Sequence, residues 1–229
     1  MKIRGKTPGN IYTYDDAPDV LRNKLYIKDF DKLQSIERNI VYIREQAIKA
    51  DPDRIECDCD FSLDYLCAIH RYLFSDLYDW AGELRVTNIN KRGGDMFCSV
   101  TDIRRKFDIL YRELKYANYF KDIDSDEVYI GALAKYYADL NYIHPFREGN
   151  GRTQRIFVSQ LCELSGRQLD FSYSDHDELI HASVAGMQQN YEPMKIWLGK
   201  MLISPQKSYK MVDCHFEETI EDDIEYLDE

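Results

Sequence analysis

Apolar residues recur at spacings of three and four along most of the 229-residue chain, and that spacing predicts helices. Leu33, Ile36, Ile40, Ile43 and Ala47 define an amphipathic helix from about Phe30 to Lys49, closed by Pro52. Phe61, Tyr65, Ile69 and Tyr72, with Leu66 and Leu73, define a second, capped by Asp60 or Ser62. Ile103, Phe107, Leu110 and Leu114 mark a third, with Thr101 or Asp102 at its start. Val128 to Ile143 is apolar enough to be a buried helix, and Ile156, Phe157, Leu161 and Leu164 resume helical spacing after a glycine turn. A helix from Ser174 to Gln188, capped by Ser174, and one from Tyr191 to Leu202, opening around Pro193, complete the set. The expected fold is mainly α.

One stretch departs from this pattern. Val86-Thr87-Asn88-Ile89 is rich in β-formers, Lys91-Arg92-Gly93-Gly94-Asp95 is a turn signal, and Met96-Phe97-Cys98 follows, which predicts a short β-hairpin with a basic tip. Residues 1–30 carry Tyr12, Tyr14, Leu21, Leu25, Tyr26 and Phe30 and are expected to wrap onto the core as extended chain and a short helix. The organisation read from the sequence is a lead-in over 1–30, one catalytic domain over 31–203 and an acidic tail over 204–229.

The net charge of −11 changes little once it is located. Residues 212–229 hold nine carboxylates and no Lys or Arg, leaving −2 for the rest, which argues against a general nucleic-acid binder. No apolar run is long enough to span a membrane, and the first residues form no hydrophobic signal region, so a soluble cytoplasmic protein is expected, without contact to nucleic acid or membrane. The six cysteines lack paired metal-ligand spacing and read as reduced thiols.

Candidate chemistry is concentrated in His144-Pro-Phe-Arg-Glu-Gly-Asn-Gly-Arg-Thr-Gln-Arg155. Pro145 disfavours helix for the residue before it, so His144 is expected on an extended corner, with Phe146 as the apolar anchor of the loop. Gly149, Asn150 and Gly151 then open a helix whose first N–H groups lie at the positive end of its dipole, a cradle for phosphate. Arg152 and Arg155, three apart, can hold phosphate oxygens, and Glu148 offers a hard oxygen ligand to Mg²⁺. His144, as a neutral imidazole, is placed to take a proton from an incoming hydroxyl.

These residues match every fixed position of the Fic-family signature, His-x-Phe-x-(Asp/Glu)-Gly-Asn-Gly-Arg-x-x-Arg, and the chain resembles that family. Tyr78 to Arg85 and the lead-in from Tyr12 to Asp31 are similar to further recurrent Fic segments. The resemblance implies a Fic-type helical domain with a hairpin flap, transferring AMP from ATP to a Ser, Thr or Tyr hydroxyl of a target protein. It assigns His144 as general base, Glu148 as metal ligand, Gly149, Asn150 and Gly151 as the anion-hole turn, and Arg152 and Arg155 as phosphate ligands. It makes Ile89, Lys91, Arg92, Gly93, Gly94 and Met96 a target-binding flap that pairs with the target's backbone, and puts Asn190 and Tyr191 at the base pocket. A phosphate-transferring branch carries Lys where this chain has Gly151, which favours nucleotide transfer here.

Fic enzymes are commonly restrained by a helix of pattern (Ser/Thr)-x-x-x-Glu-(Gly/Asn). Ser159 to Glu163 and Ser174 to Glu178 have the spacing, but Leu follows each, and Thr219 to Asp223 in the tail is a distorted version. The expected restraint is a separate small antitoxin protein. Two other readings stay open at this level: a nucleotide-binding regulatory or scaffold module, and an enzyme using another nucleotide or a phosphocholine donor.

Overall fold

The computed structural model describes residues 11–89 and 97–203. The flap residues Lys91, Arg92, Gly93, Gly94 and Met96, and the acidic tail with Thr219 to Asp223, lie outside them. Seven α-helices are present among the described residues: α1 (Phe30–Ala50), α2 (Leu63–Phe74), α3 (Ile103–Tyr116), α4 (Asp126–Ile143), α5 (Asn150–Glu163), α6 (His176–Met187) and α7 (Glu192–Gly199). The only strands there are β1 (Gln168–Leu169) and β2 (Leu202–Ile203), which pair antiparallel. The fold is mainly α, as the periodicity predicts. None of the helices is long and apolar enough to cross a membrane.

The chain divides into two units. The first comprises Met1–Tyr111 and Ile143–Phe157. Its helix α1 starts where Asp29 accepts the Lys32 N–H, and it ends before Pro52. The buried stripe of α1 is Leu33, Glu37, Val41 and Ile48. The sequence pattern had suggested Leu33, Ile36, Ile40 and Ile43, but Ile43 is 66% exposed. The displaced stripe has a physical cause: Glu37 is buried against charged and polar partners, so the helix turns a mixed rather than an all-apolar face inward. Helix α2 is capped by Ser62, which accepts the Tyr65 N–H. Leu66, Ile69, Leu73 and Phe74 of α2 are fully buried, and Phe61 packs edge-on against Phe157 of α5 at 5.2 Å between ring centres.

The described part of the lead-in, residues 11–29, contains turns and a bridge between Thr13 and Leu21, and no helix. It is held to the unit by Lys24 N–H to Leu77 O at 2.8 Å, and the Tyr12 hydroxyl accepts the Val86 N–H at 3.0 Å. The described flanks of the expected hairpin, Val86–Ile89 and Phe97–Ser99, contain no strand. Side chains close this loop instead: Asn88 Oδ1 accepts the Val100 N–H at 3.0 Å, and Arg85 bonds the carbonyls of Thr87 and Cys98.

The second unit comprises Arg112–Tyr142 and Val158–Glu229. Its core gathers Tyr137 and Phe171 around Trp197, at 5.6 and 6.0 Å. Gly186 of α6 lies so near α4 that an added Cβ would come within 2.8 Å of the Ala138 Cβ. Arg167, nearly buried, donates to Asp126 at 2.9 Å and to the carbonyls of Ile123 and Asp124. Helix α6 is capped by Asp175, which accepts the Glu178 N–H, not by Ser174. Asp wins because it stands directly before the first helical residue, where its oxygen reaches the N3 amide. Asn190 Oδ1 accepts the Glu192 N–H at 3.3 Å, at the start of α7, and the Tyr191 hydroxyl donates to Asp139 at 3.3 Å. Both side chains have these bonds within the second unit.

Candidate active site

Helix α4 ends at Ile143, and His144 turns the chain out of it with φ of 46°. That is a left-handed corner, not the extended one that Pro145 alone suggests. Such a residue just past a helix end is the usual helix-terminating conformation, normally given to Gly or Asn, and for His it carries a local conformational cost. Arg85 offsets that cost: its Nε donates to His144 O at 2.8 Å, its Nη2 to Ile143 O at 3.4 Å, and its own N–H to Pro145 O at 2.8 Å. The half-exposed His144 ring stacks on Phe97 at 3.8 Å and 16°. One buried arginine thus fixes the histidine's backbone and both flanks of the flap. Burial pulls the basicity of Arg85 below its ordinary value.

The loop from His144 to Asn150 is pinned from inside. Phe146 is fully buried and stacks on His70 at 3.9 Å and 19°. Asn150 Oδ1 accepts the Phe146 N–H at 2.9 Å while its Nδ2 donates to Phe146 O at 2.8 Å. His70 is structural: Gly82 N–H donates to its Nδ1 at 2.8 Å, which assigns the ring proton to Nε2, 3.0 Å from Glu148 O. Burial lowers its pKa to about 3, so it stays neutral. His176 and His181 are exposed on α6.

Gly149 has φ of +80°, and a Cβ there would lie 2.4 Å from the Phe74 ring. Only glycine fits. The first helical bond of α5 runs from Thr153 N–H to Gly149 O, at 3.1 Å. The N–H groups of Asn150, Gly151 and Arg152 therefore have no helical acceptor and point out of the helix N-terminus, as an anion site requires. At Gly151 the protein leaves room, since a Cβ would meet only Arg155 Nη1, at 3.7 Å.

Glu148 Oε1 accepts the Gly149 N–H at 3.0 Å and lies 3.5 Å from Arg152 Nη2. Its Oε2 carries no hydrogen bond among the described residues. These residues contain no cluster of three or more His, Cys, Asp or Glu fit to hold a metal. A single open carboxylate oxygen fits Mg²⁺ of the kind held mainly by phosphates and water.

Arg152 has a partner the sequence does not announce. Its Nη2 donates to Glu37 Oε1 at 2.5 Å, and its guanidinium lies 4.8 Å over the Phe74 ring. Glu37 is 2% exposed at its side chain, and its second oxygen accepts from the Tyr78 hydroxyl. Burial, followed by the Glu37 charge, pushes the Tyr78 pKa far up, so Tyr78 remains a donor. Breaking such a buried pair costs about 3–5 kcal/mol, because one charge is left unpaired. Farther along α1, half-buried Glu45 has its pKa raised by burial and opposed by the charges of Arg155 and Arg152. A cavity of about 540 Å³ at the foot of the flap is lined by Arg71, Arg85, Val86, Val100 and Arg104, among others.

The structure thus brings His144, Glu148, the 149–151 turn, Arg152 and Arg155 onto one continuous loop and helix start. Of the flap, Ile89 is described and half-exposed. The sequence reading missed Glu37, Tyr78, Phe74 and Arg85 as supports of that loop. A signal for Glu37 existed, a charge at the centre of the i, i+4 stripe Leu33, Glu37, Val41.

The Fic/DOC family model matches residues 60–162. "Probable protein adenylyltransferase y4lH" of Sinorhizobium fredii is 32% identical over 183 residues, covering 80% of this chain and 91% of that relative. Protein adenylyltransferase VbhT of Bartonella schoenbuchensis is 32% identical over 189 residues, 82% of this chain but 38% of that longer protein. Among solved structures, the BepC effector of Bartonella tribocorum with bound AMPPNP superposes with a TM-score of 0.74 at 27% identity, covering 84% of this chain and 96% of that one.

Proposed function

Since the chain belongs to the Fic/DOC family, we propose that it is a protein adenylyltransferase, moving AMP from ATP to a Ser, Thr or Tyr hydroxyl of a target protein. The observation that carries this reading is the pairing of a half-exposed His144 with an open helix N-terminus at Asn150–Arg152 on one pinned loop. Binding of nucleotide alone would need no imidazole there. The named relatives and the AMPPNP-bound neighbour support the same chemistry.

In this mechanism the neutral His144 imidazole accepts the hydroxyl proton as the oxygen attacks the α-phosphorus. The bond to pyrophosphate breaks, giving the AMP ester and pyrophosphate. The N–H groups of Asn150, Gly151 and Arg152 at the open helix start stabilise charge on the α-phosphate, and the guanidinium groups of Arg152 and Arg155 hold the departing phosphates. Mg²⁺, held by Glu148 and the phosphates, would neutralise part of the phosphate charge. In this reading the target segment pairs with the flap residues Ile89, Lys91, Arg92, Gly93, Gly94 and Met96. The restraint on such an enzyme is a separate small antitoxin, a reading supported by the lack of an intact brake pattern in the sequence.

The test is intact mass after incubation with ATP and Mg²⁺, with a cell lysate as target source and His144→Ala alongside. Gain of one AMP on a protein with the wild type and not with the mutant is expected. Transfer that survives His144→Ala overturns the assigned role, and ATP binding without any transfer overturns the enzyme.

A further inference from the structure

The Arg152 guanidinium is held from behind before any nucleotide arrives. Glu37 lies 115 positions away in the sequence, is 2% exposed, and has both carboxylate oxygens engaged, one by Arg152 and one by Tyr78. Phe74 closes the same corner: its ring lies beneath the guanidinium, and it is also the ring that would clash with any Cβ at Gly149. Among the described residues only Nη2 of Arg152 is hydrogen-bonded, to Glu37 and Glu148, so Nε and Nη1 are left for another acceptor. An arginine fixed through one nitrogen presents its remaining fork in one orientation, which lowers the conformational cost of taking up a phosphate.

We propose that Glu37 is a positioning residue for nucleotide phosphate binding, acting through Arg152 and itself oriented by Tyr78. The inference rests on the nucleotide reading of this site but not on transfer. A helix far upstream of the loop thereby sets the geometry of the phosphate cradle. The alternative, that Glu37 only neutralises Arg152, predicts the opposite sign, because removing a counter-charge would free a full cation and tighten phosphate binding.

The experiment measures AMPPNP affinity by calorimetry in the full chain with Mg²⁺. Glu37→Gln keeps the side chain's shape and can still accept from Tyr78, while Glu37→Asp keeps the charge but withdraws it by one methylene. Each is measured with Arg152 intact and in an Arg152→Ala background. Affinity is expected to fall roughly 10- to 100-fold in either variant, the worth of one charge-assisted hydrogen bond, and to change no further once Arg152 is absent. Unchanged or tighter binding, or the same loss with and without Arg152, overturns the proposal. Should the Gln variant fail to fold, the Asp variant carries the same comparison. AMP incorporation by the wild type is scored separately and judges the transferase reading, whatever the affinity cycle gives.

Discussion

Asn150 forms a closed two-bond ring with the backbone of Phe146, accepting its N–H at 2.9 Å and donating to its carbonyl at 2.8 Å. Its amide is spent on the loop, so what it offers a phosphate is its backbone N–H. Asn150→Asp keeps the acceptor and loses the donor, setting a carboxylate oxygen against a buried carbonyl. A loss of about 2–3 kcal/mol in urea-unfolding stability is expected, with AMP transfer falling alongside it.

The two glycines should separate stability from binding. Gly149→Ala meets the Phe74 ring at 2.4 Å and forces an L residue into φ of +80°. It should lower the melting temperature by several degrees and abolish transfer. Gly151→Ala meets nothing closer than 3.7 Å, so melting should be unchanged or slightly raised. Its Cβ nonetheless faces the Arg155 side of the cradle, and nucleotide affinity should drop about tenfold, the scale of a displaced phosphate contact. Equal affinity for Gly151→Ala and wild type would place the phosphates elsewhere.

His70 should make the fold sensitive to acid. Its folded pKa is lowered to about 3 by burial, against about 6.5 when unfolded. Between these values the unfolded chain binds the extra proton, so its stabilising contribution is complete above pH ~6.5 and is lost on acidification towards pH ~3, at about 1.4 kcal/mol per pH unit. The gap in unfolding midpoint between wild type and His70→Gln should therefore narrow as the pH falls through that window. A gap independent of pH would contradict the buried neutral imidazole.

Arg85 gathers carbonyls from His144, Ile143, Thr87 and Cys98 with one planar fork. Lysine cannot reproduce that fan of donors. Arg85→Lys is expected to cut target modification by about 10²-fold, the scale reached when reacting groups are misplaced by an ångström, while AMPPNP affinity stays within about threefold of wild type. Parallel loss of both would show that the whole loop, not its corner, had moved.

The legible part of this protein is what repeats or clusters locally. Helices α1, α2 and α5 follow from apolar spacing, since a helix is decided by neighbours three and four residues away. The string from His144 to Arg155 stands out because so many polar residues crowd around two glycines at a helix start. The local rule was insufficient at His144, where Pro145 argued for an extended residue and the helix end, held by Arg85, imposed a left-handed one. It was insufficient again at α1, where apolar spacing alone points to Ile36, Ile40 and Ile43 and the fold instead buries Glu37 against Tyr78 and Arg152. The sequence by itself determined that the scaffold is helical and which residues are the candidates for the chemistry. Only the tertiary structure decided which groups hold them in place, because a buried charge can be tolerated only where packing brings its partners from distant parts of the chain.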